Sequence, residues 1–261
     1  MKKLLILSTA LTSFAFAANA DITVMSWGGA YGEAQNEAFV KPFVAATGKA
    51  TVMVDSDNPA PALKAMVEAG NVTVDVAAVE YADGIRLCDE GVLEPIDAAA
   101  LPAGADGTPA ADDFLPGAVT ECAVSTDIWS NVFAYDTTKY APDAAPKTVA
   151  DFFDLAKFPG KRGLRKGAKS VLELALMGDG VPAAEVYAVL GTPEGVDRAF
   201  AKLDTIKAET VWWEAGAQPP QLLADGEVVM TTAYNGRIFA AAMNEAKPFQ
   251  IVWDGQIYEN E

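Results

Sequence analysis

The chain alternates short apolar, strand-like runs with helical segments that stop at glycine, and few folds accommodate that order. ITVMSW (22–27) is closed by Gly28-Gly29, and a helical pattern over 33–46, interrupted by Pro42, stops at Gly48. TVMV (51–54) is followed by the polar DSDNP, and the helical stretch 60–69 ends at Gly70. VDVAAV (74–79) is a third strand, with a helical segment behind it to Gly91. This β-α alternation predicts a parallel sheet with helices on its faces. Residues 98–117, rich in Ala, Pro, Gly and Asp, read as a loop. AVSTDIWSNVFAYD (123–136) reads as a long strand leaving this first unit.

A second unit repeats the alternation. Thr148 is placed to cap the helix of TVADFFDLA, and GLR (163–165) is a short strand. Helices are expected over 169–178, 182–190 and 193–207, with Pro182 and Pro193 at first-turn positions where proline costs no hydrogen bond. ETVWW, a helix near 218–225, EVVMTTA, a helix near 236–246 and FQIVW complete it. The division expected is 21–131 with 249–261 in one lobe and 132–248 in the other. The chain stops at IYENE behind a strand-like run, and the first unit has only three clear strands, so a C-terminal part is expected to be missing.

Charge and composition remove whole classes of function. MKKLLILSTALTSFAFAANA (1–20) has a positive start, an apolar stretch shorter than the roughly 20 residues a membrane span needs, and a small-residue Ala18-Asn19-Ala20 end. It reads as a secretory signal cleaved before Asp21, which predicts an exported, periplasmic protein. A net charge of −17 opposes nucleic-acid binding. The absence of histidine removes Ser-His-Asp and Cys-His nucleophiles and histidine-bearing zinc sites. No metal or cofactor is expected. Cys88 and Cys122, an even pair in an exported chain, predict a structural disulfide, with two buried thiols as the alternative.

Open parallel sheets hold ligands outside the carboxyl ends of their strands. In the first unit those ends bring Trp27 and Tyr31, then Asp57, then Glu80 and Tyr81: aromatic faces and carboxylates, which suit an ammonium group. Each of these residues also has a plain reading as core or solvated turn. The second unit's ends bring Trp213, Tyr234 and Arg237, and the crossing segment brings Trp129. Trp212 and Trp213 face opposite ways in a strand, so one of the two at most lines a cleft. This second rim is basic. KFPGKRGLRKGAKS (157–170) gathers Lys157, Lys161, Arg162, Arg165, Lys166 and Lys169. GLRKGAKS lacks the spacing of a P-loop and GGAYG that of a dinucleotide fingerprint, so both are set aside.

VMSWGGAY, DVAAVEY, ECAVSTDIWSNVFAYD, KTVADFFDLAKFPGKRG, ADGEVVMTTAYNGR and FQIVW, in this order, resemble the periplasmic solute-binding proteins of ABC importers, of the spermidine/putrescine type. The resemblance implies an α/β two-lobe periplasmic-binding-protein fold (type II) closing on one small amine, no enzyme activity, a monomer, and an inner-membrane permease as partner. It assigns Trp27 and Tyr31 to ligand stacking on the first lobe and Tyr234 on the second. At Gly167 and Ser170, where polyamine binders carry carboxylates, this sequence has none, and Lys166 and Lys169 stand beside them. The alternative ligand is therefore a zwitterionic ω-amino acid such as GABA, its carboxylate on the basic rim with Arg237. A competing reading is that most of the basic stretch is solvated and balances neighbouring acids. A secreted two-domain enzyme is the competitor from another class, and no paired acid and base at defined spacing favours it.

Overall fold

The computed structural model describes residues 22–261, and the proposed leader 1–20 lies outside them. Two sheets organise the chain. The first contains β1 (Ile22–Ser26), β2 (Thr51–Asp55) and β3 (Val76–Ala77), ordered β2-β1-β3 and parallel throughout. The helical run between β1 and β2 extends from Gly29 to Thr47. It widens to a π turn at Asn36–Val40, just ahead of Pro42. Proline has no N–H to return to the carbonyl four residues back, and a wider turn absorbs that loss. Helices Pro59–Glu68 and Tyr81–Asp89 cover one face, where Met25, Ala60, Leu63 and Leu87 are buried. Cys88 in the second of these helices is joined to Cys122, with Cα atoms 5.7 Å apart. The sheet's other face borders an apolar groove of about 1110 Å³ in which Val24, Phe39, Phe43 and Val76 are found.

The second sheet is larger and mixed. It holds β4 (Ile128–Asp136), β5 (Arg162–Arg165), β6 (Thr210–Trp213), β7 (Met230–Tyr234) and β8 (Phe249–Asn260), ordered β6-β5-β7-β4-β8. β5 runs parallel to β6 and β7, and β4 lies antiparallel between β7 and β8. Alternation sends Phe133 of β4 to one core with Phe152, Leu164, Leu174 and Leu176. Its neighbour Ala134 goes to the opposite core with Val228, Ala233, Ile238 and Phe249. The expected cap is present: Thr148 and Asp151 form a reciprocal capping box, although the helix is only Val149–Phe153.

One strand is longer than its sequence suggests. FQIVW is the first half of β8, which continues through Gly255 to Asn260 and stays paired with β4. The register shifts between Asn131 and Phe133. Gly255 has φ +71°, and a Cβ there would lie 2.8 Å from Val149, so the kink needs glycine. Residues 249–260, expected with the first lobe, are thus hydrogen-bonded into the second sheet. β4 and β8 together form the antiparallel ribbon that crosses between the lobes.

Arg162 is the polar centre of the second lobe. It is wholly buried. Its guanidinium donates to the carbonyls of Phe152 (2.6 Å), Gly160 (2.6 Å) and Phe158 (2.7 Å), closing the loop 152–160 around itself. The fork geometry of arginine serves several carbonyls at once, which lysine cannot do. Each orphaned carbonyl would cost about 1–3 kcal/mol. Arg162→Met should therefore lower unfolding free energy by at least about 3 kcal/mol, and Arg162→Lys should recover little of it, as read by urea denaturation.

Candidate ligand-binding cleft

The carboxyl ends of both sheets meet at the crossing ribbon. β1 ends in Ser26, and Trp27, Gly28 and Gly29 lead into the helix that carries Tyr31. Gly28 and Gly29 both have positive φ. A Cβ on Gly28 would stand 2.5 Å from an Asp55 carboxylate oxygen, and one on Gly29 would stand 2.6 Å from Nη1 of Arg237. The glycine pair therefore lets Arg237 come against the turn. Arg237 starts from the helix Asn235–Asn244 of the second lobe, is buried, and donates through Nη2 to the carbonyl of Trp27 at 3.2 Å.

Tyr234, at the end of β7, is the hub of the second rim. Its ring meets Trp129 edge-on at 4.9 Å and Trp213 at 5.7 Å, and the Arg165 guanidinium lies 5.8 Å from its centre. Burial raises its phenol above the usual range. Trp213 is 1% exposed, whereas Trp212, on the other face of β6, is 45% exposed. Three buried donors around this hub have no hydrogen-bond partner: the indole N–H groups of Trp129 and Trp213, and the side-chain amide of Asn131, which pairs across the ladder with Tyr234. Buried donors are nearly always satisfied, so three together mark a surface made for an acceptor.

The orphan on the other side is an acceptor. Tyr31 donates its hydroxyl to Oδ2 of Asp127 at 2.7 Å, and Oδ1 of Asp127 is buried without a partner. The Trp27 indole N–H donates to the Glu261 carboxylate. Burial, with the Asp127 carboxylate next in weight, pushes Glu261 up to about 8. Burial also raises Asp127, and Glu259 along the same edge of β8. These acids lie against aromatic rings; Lys169 acts on Glu259 and Arg237 on Glu261 from nearby, but no cation forms a salt bridge to any of them among the described residues, which suits an ammonium seat.

Three cross-lobe ion pairs close one side of the cleft. Glu80, 2% exposed at the start of the helix Tyr81–Asp89, accepts from Arg165 at 2.7 Å and from Lys169. Lys169 also reaches Asp83 at 2.7 Å. The rest of the basic stretch has other work. Lys157 pairs with Asp151 and Lys166 with Glu214, both on the surface, and Arg162 is the internal clamp described above.

Comparison with known proteins agrees with this architecture. Residues 38–259 match the family described as bacterial extracellular solute-binding protein. The chain belongs to this family. It is a solute-binding protein of the ABC-importer kind and not an enzyme, with the α/β two-lobe fold of type II periplasmic binding proteins. It is 51% identical over 252 residues to a gamma-aminobutyric acid-binding protein of Pseudomonas aeruginosa, covering 95% of this chain and 69% of that one. Among solved structures, MotA of A. tumefaciens B6 in complex with glucopine is 34% identical with a TM-score of 0.83, covering 92% of this chain and 72% of that one. The structure described as the Atu4243 GABA receptor is 35% identical with a TM-score of 0.75, covering 92% and 70% respectively. These relatives do not support the polyamine type that the sequence resemblance suggested.

Of the residues expected at the site, Trp27 meets Arg237, Tyr31 meets Asp127, and Glu80 is joined through Arg165 to Tyr234, on which Trp129 and Trp213 pack. Asp57 is exposed on the loop after β2 and makes no hydrogen bond or ion pair among the described residues; Asp55, two positions earlier, carries the carboxylate that reaches the Gly28 turn. Tyr81 turns toward Gly117 and borders the apolar groove. Sequence reasoning missed Asp127, Glu261, Arg165 and Lys169 as individual contributors. The signal for Asp127 was its position two residues before Trp129 in the crossing segment. Glu261 had none, because β8 did not read as continuing so far.

The Glu261 carboxyl yields a pH signature. Its folded value of about 8 lies above the ordinary 4.5, so the folded state holds the proton more tightly than the unfolded chain. Its contribution to stability is fully present below about 4.5 and is lost as pH rises through about 8. Thermal melts of the unliganded protein should show stability falling across that window, and Glu261→Gln should flatten the fall.

Proposed function

We propose that this solute-binding protein takes a zwitterionic ω-amino acid such as GABA, its ammonium seated at Asp127 and Glu261 between Trp27 and Tyr31 and its carboxylate received near Arg237 and the donors around Tyr234. The observation that carries the reading is the sorting of unpaired groups. The hydrogen-bond orphans around Tyr234 are all donors. The orphan beside Tyr31 is an acceptor, Oδ1 of Asp127, and burial raises both Asp127 and its neighbour Glu261. A ligand with one charge of each sign at its two ends satisfies both sets at once. A diamine satisfies only the acidic set and leaves Arg237 facing a second positive charge, which burial makes costly. The 51% identical relative named for gamma-aminobutyric acid supports the same choice.

Within this proposal, the leader 1–20 exports the chain, which acts as a monomer in the periplasm and delivers its ligand to an inner-membrane permease. Calorimetric titration of the full chain tests the ligand. GABA should bind at one site per chain, and putrescine and spermidine should bind far more weakly. Arg237→Ala should weaken GABA binding by about 100-fold, the size of loss expected when one partner of a buried charge pair is removed. Tight polyamine binding with no response to GABA would overturn the assignment.

A further inference from the structure

Building on the zwitterion reading, we infer that Lys169 is a specificity determinant: its ammonium occupies, from within the protein, a seat that the second ammonium of a diamine would otherwise take. Glu80 and Asp83 stand three residues apart at the start of the helix Tyr81–Asp89, a spacing that puts their carboxylates on one helix face. The Lys169 ammonium bridges them, bonded to Oε2 of Glu80 and to Oδ2 of Asp83 at 2.7 Å. The other Glu80 oxygen is used by Arg165 at 2.7 Å, and the other Asp83 oxygen by Arg86 at 2.9 Å. Two carboxylates converging on one ammonium is how a protein grips a primary amine.

The exposure gradient has the direction an amine seat requires. The Lys169 side chain is 41% exposed, while those of Glu80 and Asp83 are 3% and 13% exposed. The acids lie at the back and the lysine closes the mouth. The seat is continuous with the cleft, because Arg165 spans from Glu80 to the face of Tyr234. Lys169 is tethered by its own backbone, so its ammonium is present at a high effective concentration and a free amine in solution competes poorly. Removing it leaves two sheltered carboxylates short of a cation, a costly state that a ligand ammonium relieves. Lys169 thus gates the protein against diamines without touching the amino acid.

Titration of wild type, Lys169→Ala, Lys169→Met and Lys169→Arg with GABA and with putrescine tests this. Wild type should prefer GABA. Both the Ala and the Met variant should gain at least about ten-fold in putrescine affinity, and the Arg variant, which refills the seat, should not. Thermal melts supply a second readout: propylamine should raise the melting temperature of the Ala and Met variants and leave wild type unmoved. Ala and Met variants that fold, yet bind putrescine no better than wild type and do not respond to propylamine, would overturn the role of Lys169. Wild type that binds GABA while no variant gains putrescine sinks only this inference. Wild type with no GABA response sinks the zwitterion reading whatever the variants do, and wild type that binds putrescine as tightly as GABA sinks both.

Discussion

A charge taken out of water must meet its opposite, and this cleft shelters Arg237, Asp127 and Glu261 without a direct salt bridge to any of them among the described residues. Arg237 is 7% exposed and hydrogen-bonds only a backbone carbonyl among the described residues, with the Glu261 and Asp55 carboxylates acting on it from nearby, while Asp127 and Glu261 lie against rings and near each other. Glu80 and Arg162, by contrast, are fully paired within the chain. Glu80 has both oxygens occupied, and Arg162 spends its guanidinium on carbonyls of one loop. The contrast between these two treatments separates residues that hold the fold from residues that wait for a ligand.

That separation depends on where the two sheets end. β1 brings Trp27 and a glycine turn to the cleft, β7 brings Tyr234 and the helix of Arg237, and the β4–β8 ribbon supplies Asp127, Trp129, Glu259 and Glu261 from the crossing itself. A strand's period of two then decides which side chains face the ligand. Trp129, Asn131 and Phe133 share one face of β4, so the cleft runs directly into the core that anchors it. Tyr234 ties the arrangement together, since Trp129, Trp213 and Arg165 all pack on its ring.

Much of this was legible in the residues. Glycine stops and strand-like runs marked β1, β2, β4 and β7, and strand ends drew attention to Trp27, Tyr31, Glu80, Tyr234 and Arg237. Alternation put Trp212 and Trp213 on opposite faces without saying which is buried; Trp213 is, and Trp212 is half-exposed. What stayed hidden were long-range pairings and a bulge. Lys169 and Glu80 are 89 residues apart, and nothing local announces that they meet. Arg162 read as one of six cations of the basic stretch, because its burial requires the loop from Phe152 to Gly160 to wrap around it. The kink at Gly255 broke the apolar pattern of β8, which concealed its second half and with it Glu261. Asp57 was preferred to Asp55 in the candidate set because the DSD run did not show where the strand stops; β2 ends at Asp55, whose carboxylate approaches Gly28.

The central claim is that the cleft is sorted by charge and needs both ends of its ligand. Titrating the protein with GABA and with its two half-molecules, n-butylamine and butyrate, examines this directly. The account predicts that GABA binds at least about 100-fold more tightly than either half. Butylamine binding as tightly as GABA would contradict it, since the basic wall would then contribute nothing to holding the ligand.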